Sequence, residues 1–216
     1  MKDCLLMNSF SNSDLPGFYI SNEILQQQKI QIIDSLFINN RFSAEKFVGS
    51  RGCVFSFISV YSILINQAYF LSNIVHLTEE SARGSCLYFF HLQTNIEVNI
   101  AYFERNYALK GGLIFEGRGN RISITKAFFL DNSQLNQNLE MLTFFIIRGE
   151  MSYLSMKNSL LVNNLALNGL FYFTEIKKFV IIELDAVSMF YNFGKMSAGF
   201  YGGQETNNRT IRWSFL

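Results

Sequence analysis

Glu183 and Asp185 stand two residues apart in the run FVIIELD, and any bond-cleaving chemistry in this chain would start from that spacing. In an extended strand, side chains two apart leave the same face about 7 Å from each other. Two carboxylates at that distance suit inverting glycoside hydrolysis, one as general acid and one as base for a water. Lys157 joins them one coil earlier once the repeats described below are aligned. The same three side chains also make an ordinary solvated edge with an ion pair worth about 0.5 kcal/mol. His76 follows Asn73, and His91 follows a later apolar run. Neither has a triad or metal partner in the pattern, so both read as surface or loop-packing residues. No ladder of acidic residues offers calcium a site. The expectation is a chain without metal or cofactor that is not an enzyme, with glycan processing at Glu183, Asp185 and Lys157 as the catalytic alternative.

What would position these groups is a repeat. The stretch AYFERN at 101–106 recurs as SLFINN at 35–40, AYFLSN at 68–73, AFFLDN at 127–132, SLLVNN at 159–164 and VSMFYN at 187–192. Its asparagines are Asn40, Asn73, Asn106, Asn132, Asn164 and Asn192, spaced 26 to 33 residues apart. Ten before each Asn lies Ile30, Ile63, Ile96, Ile122, Leu154 or Ile182, and eight before lies Ile32, Ile65, Val98, Ile124, Met156 or Leu184. Five before is the small position: Ser35, Ala68, Ala101, Ala127, Ser159, Val187. Three before is large: Phe37, Phe70, Phe103, Phe129, Leu161, Met189.

Within a unit the apolar residues step by two, then three, then two, which reads as strand, bend, strand. After the Asn comes a variable segment. A third apolar run, usually opened by glycine, then follows: GFYI at 17, GCVFSF at 52, SCLYFF at 85, GLIFEG at 112, GLFYFT at 169 and GFYG at 199. No unit can bury its apolar face alone, so the units must stack. The pattern predicts an all-β fold: a right-handed, single-stranded parallel β-helix of about six to seven coils, with no clear end caps. A leucine-rich repeat is the competing fold, but only four residues separate Asn106 from Gly111, too few for a helix. One domain is expected over 1–216, with a degenerate first coil at 1–29, regular coils at 30–203 and the start of another at 204–216. In that first coil Leu5, Asn8, Phe10 and Ser13 fit the pattern, and the register of TIRWSFL is ambiguous.

Stacked about 4.8 Å apart, the Asn amides should form a structural ladder, each Asn closing a tight corner in left-handed angles. Cys53 and Cys86 both lie thirteen residues past their Asn, so they should stack as buried thiols. On the outside, Leu36, Tyr69, Tyr102, Phe128 and Leu160 stand four before the Asn. That column is apolar where a solvated sheet would be polar, which marks an interaction face for protein or glycan, with Tyr69, Tyr102 and Phe128 as its binding residues. The plainer alternative is that loops after Asn40 and Asn73, or another part of a longer protein, cover it.

FERN with GGLI, and FINN, FLSN and FLDN with weaker glycine partners, cover about residues 30 to 203. This alternation of F-x-x-N with G-G-aliphatic resembles the repeat of the polymorphic membrane proteins, surface autotransporters with β-helical passengers. Similar units occur in large surface proteins of single-celled eukaryotes. The resemblance implies a pectin-lyase-like β-helix used for display, adhesion or scaffolding at the cell surface. The chain departs from it in lacking a signal peptide, an anchor and most second glycines.

Composition agrees with a packed solenoid. Of 216 residues 49% are hydrophobic and 16% charged, with 23 Phe and one Pro. A net charge of +1 without a basic block argues against nucleic-acid binding. Three cysteines are too few for a disulfide framework, and no apolar run is long enough for a membrane span. The expected role is a non-catalytic structural or adhesive segment of a larger extracellular or cell-surface protein, with end-to-end self-association as a further option. Its alternative is a carbohydrate-binding or polysaccharide-degrading β-helix.

Overall fold

The step of three in each repeat is where the backbone turns. An unbroken strand would send the residue six before the Asn inward and the small residue outward. Instead Asp34, Gln67, Ile100, Lys126, Asn158 and Ala186 take left-handed angles, with φ between 49° and 55°. A second left-handed residue precedes each Asn: Asn39, Ser72, Arg105, Asp131, Asn163 and Tyr191, with φ between 51° and 54°. Each resets the alternation, so the small residue and the Asn both face the interior. The ladder Asn is therefore not the left-handed residue that the sequence reading expected. Its neighbour takes the strain, which leaves the amide free to point into the core.

None of these corner residues is glycine, and a side chain with a Cβ costs about 1–2 kcal/mol there, least for Asn and Asp. Ile100, β-branched, is the worst fit. Ile100→Asn is expected to stabilise the chain by about 1 kcal/mol, a rise in Tm of about 2–4 °C for this size. A thermal melt showing an unchanged or lower Tm would mean that packing by Ile100 outweighs the relief.

The computed structural model describes residues 1–7, 10–11, 18–21, 29–44, 53–58, 60–77, 85–90, 95–108, 111–118, 121–134, 142–148, 151–165, 171–174, 179–193, 200–202 and 209–214. Among them there is no helix, and every strand pairing is parallel. The fold is a single-stranded parallel β-helix. Its long sheet follows Leu5–Met7, Lys29–Ile38, Ser62–Leu71, Asn95–Glu104, Arg121–Leu130, Met151–Lys157, Phe179–Asp185 and Arg209–Ser214 in sequence order, with Leu160–Val162 and Ser188–Phe190 beside it. The first two expected strands are thus one bent strand of that sheet in the units of Asn40, Asn73, Asn106 and Asn132, and two separate strands in those of Asn164 and Asn192. A short sheet follows the earlier corners, running from Phe10–Ser11 through Arg41–Ala44, Ile74–Leu77 and Tyr107–Ala108 to Ser133–Gln134, while Leu165 and Phe193 after the last two are joined by a single bridge. The third sheet runs from Phe18–Ser21 through Cys53–Ile58, Ser85–Phe90, Gly111–Arg118, Leu142–Arg148 and Phe171–Thr174 to Phe200–Gly202.

Register turns the sequence columns into physical files. Ile63, Ile96 and Ile122 are successive partners, as are Ile65, Val98 and Ile124. Phe37, Phe70, Phe103 and Phe129 are fully buried, and their rings stack at centroid distances of 5.0, 4.8 and 5.1 Å. Phe55 of the third sheet meets Phe37 edge-on at 4.9 Å, closing the interior. The asparagine ladder runs through all six expected members, at Nδ2 to Oδ1 distances of 2.9, 3.0, 3.0, 3.0 and 2.8 Å. Interior amides are saturated. Asn73 Oδ1 accepts from the backbone N–H and Nδ2 of Asn40, while its Nδ2 donates to Asn106 Oδ1 and to the Phe37 carbonyl. That is every bond a side-chain amide can make.

The third sheet departs from the expected register. Phe18, Phe55, Leu87, Phe115, Phe145, Phe171 and Phe200 form its aligned file. Cys53 therefore pairs with Ser85, not Cys86, and the two cysteines are out of register by one residue. The strand Leu142–Arg148 escaped the glycine pattern because no glycine opens it. In the first coil Leu6, not Phe10, occupies the file of Phe37, while Phe10 pairs with Arg41. The run at 209–214 continues the long sheet in register, Ile211 pairing with Ile182 and Trp213 with Leu184.

Candidate functional site

The bend six before the Asn and the corner one before it enclose a flat stretch of four residues in every coil. On that stretch the residues four and two before the Asn point outward. The first file runs Leu36, Tyr69, Tyr102, Phe128, Leu160 and Ser188. The sequence-predicted residues Tyr69, Tyr102 and Phe128 are thus on consecutive rungs. Their rings stack nearly parallel, 4.9 Å and 7° for Tyr69 with Tyr102, then 4.6 Å and 8° for Tyr102 with Phe128. Tyr69 is 40% exposed, and Tyr102 and Phe128 are half-buried.

A second apolar file lies beside it: Ile38, Leu71, Glu104, Leu130, Val162 and Phe190. The sequence reading missed it because Glu104 interrupts the run in the best-matched repeat. Leu5 and Met7, exposed, extend the two files to the coil before. Together they make an apolar strip two residues wide along the long sheet.

The carboxylate group lies on the same sheet beyond the bend. Glu183 is opposite Ser155, and Asp185 is opposite Lys157, so the three expected side chains are on adjacent rungs. Glu183 accepts a hydrogen bond from the Tyr153 hydroxyl at 2.5 Å. That bond, then burial, holds the Tyr153 phenol above its ordinary range. The guanidinium of Arg121 sits 5.1 Å over the Tyr153 ring. Arg121, Tyr153 and Glu183 thus link three coils, joining the file eleven before the Asn, which carries no repeat signature, to the file nine before it. Next to Glu183 the chain places Arg212. A further amide pair, Asn99 Nδ2 to Asn66 Oδ1 at 3.0 Å, lies outside the ladder.

His76 is on the strand Ile74–Leu77, opposite Ser43, and not in a loop; His91 lies outside the described residues. Among the described residues no three His, Cys, Asp or Glu cluster to hold a metal. No described helix is long and apolar enough to cross a membrane. The chain matches no protein-family model, no curated protein and no solved structure.

Proposed function

We propose that the chain is a structural and adhesive segment of a larger extracellular or cell-surface protein, and that the apolar strip is its contact face. The observation that carries this reading is the line of Tyr69, Tyr102 and Phe128, flanked by a second apolar file and held on one rigid sheet. A contiguous apolar patch on an ordered surface is a recognised mark of a docking site. The alternation of FERN with GGLI, similar to the repeat of the polymorphic membrane proteins, supports display at a surface on a pectin-lyase-like scaffold. For the carbohydrate-processing alternative, Glu183 and Asp185 would have to act as acid and base. The Tyr153 hydroxyl already bound to Glu183 favours a bracing role for that carboxylate.

The test is attachment of the purified chain to cells and to surfaces coated with glycan or protein. Tyr102→Ala is expected to cut attachment by at least about tenfold, since central aromatic residues dominate contact energies, and to leave the circular dichroism spectrum intact. Attachment unchanged in the variant, with only stability reduced, would mean that the strip is internal packing and would sink the reading.

A further inference from the structure

The geometry points to a second copy of this chain as the partner of the apolar strip, docked face to face so that the rungs of one mesh with those of the other. The inference rests on the reading of the strip as a contact face, and three features select the partner.

The first is the state of the aromatic rings. Tyr102 is sandwiched between Tyr69 at 4.9 Å and Phe128 at 4.6 Å, with Leu36 and Leu160 on the rungs beyond. A sugar stacks on an open ring face, and here those faces are taken by neighbouring rings. What reaches solvent is a row of ring edges, which pack against aliphatic side chains and other aromatics.

The second is period. Rungs of a parallel stack repeat about every 4.8 Å, whereas an α-helix advances 5.4 Å per turn. A helix laid along the strip would slip by about 0.6 Å per rung, and by about 3 Å over the five intervals from Leu5 to Leu160. Another stack of parallel strands stays in step over the full length. This chain is such a stack.

The third is charge and area. Within the two files only Glu104 is charged, and its carboxylate is paired with Arg105. The bordering files carry both signs, as in Asp34, Lys126 and Asp131. Two copies therefore meet without a block of like charge. The strip is about 24 Å long and about 10 Å wide, so each copy offers roughly 240 Å², well short of the roughly 800 Å² per partner in a standard interface. The dimer is thus weak and concentration-dependent, as suits contacts multiplied along a surface.

Sedimentation velocity from about 5 to about 500 µM reads this directly, because mass action drives a weak dimer. The wild-type chain is expected to move from monomer towards dimer across that range. Tyr102→Lys and Leu130→Lys, on adjacent files, are each expected to weaken association by at least about tenfold. Both should keep the wild-type circular dichroism spectrum, and if Tyr102→Lys does not fold, Leu130→Lys carries the test. A wild-type chain that stays monomeric throughout overturns the inference, as does a folded Leu130→Lys that dimerises like wild type. A monomeric chain that still attaches to glycan-coated surfaces would overturn self-docking alone and leave the adhesive reading standing. A chain that dimerises but attaches to nothing would do the reverse.

Discussion

Asn106→Ala is expected to destabilise the chain by about 4 kcal/mol, a loss larger than surface substitutions produce. Asn106 is fully buried. Its Oδ1 accepts from the backbone N–H and from Nδ2 of Asn73, both at 3.0 Å. Its Nδ2 donates to the Phe70 carbonyl at 2.8 Å and to Asn132 Oδ1 at 3.0 Å. Truncation strands two donors of Asn73 inside the core, and each stranded group costs about 1–3 kcal/mol. Asn132 Oδ1 keeps the bond from the Asn106 backbone, which limits the damage on that side. Asn106→Asp keeps the shape but turns carboxylate oxygens towards Asn132 Oδ1 and the Phe70 carbonyl. It should lose at least as much at neutral pH, since an uncompensated buried charge is costlier than a lost hydrogen bond. Asn192→Ala serves as the internal comparison. Asn192 is only half-buried, so the loss there is expected to be about 2 kcal/mol. Urea melts followed by circular dichroism measure all three. A loss below about 1 kcal/mol for Asn106→Ala would show that water or a shifted backbone replaces the amide.

The part of the fold that could be read in the sequence is the part where chain length between files is constant. From ten before the Asn to the Asn itself every coil uses the same number of residues, and parallel stacking puts each file in one environment. Selection then repeats itself: Ile63, Ile96 and Ile122 face the same interior, and so do Phe70, Phe103 and Phe129. Beyond the Asn that constancy fails. The distance from the Asn to the aligned residue of the third sheet ranges from seven residues, Asn164 to Phe171, to fifteen, Asn40 to Phe55. Counting forward from the Asn therefore put Cys53 against Cys86, one residue out of register. The outer strip was half legible for a related reason. An outward file has no volume to match, so Glu104 can stand between Leu71 and Leu130 without harm to the stack. The link from Tyr153 to Glu183 was hidden because it joins two different files diagonally.

Phe103→Ala tests the other half of the interior, and about 4 kcal/mol is its expected cost too, within the usual range for a buried phenylalanine. Phe103 lies between Phe70 at 4.8 Å, tilted 5°, and Phe129 at 5.1 Å, tilted 7°. Removing the ring opens a cavity that the neighbouring rungs cannot close, because the backbone spacing is set by the interstrand hydrogen bonds. Volume and ring stacking both contribute to that loss, and Phe103→Leu separates them. The same file holds Leu161, fully buried, two rungs further on, so the site accepts a leucine without strain. If volume dominates, Phe103→Leu costs about 1 kcal/mol. If stacking adds its own term of about 0.5–1.5 kcal/mol per ring pair, the loss approaches that of alanine, because Phe103 belongs to two pairs. The variant Phe70→Leu with Phe103→Leu then decides the point. Stacking makes the second substitution cheaper than the first, since the shared pair is already gone, whereas simple volume loss adds or worsens. A Phe103→Ala variant as stable as wild type would contradict an interior packed in registered files.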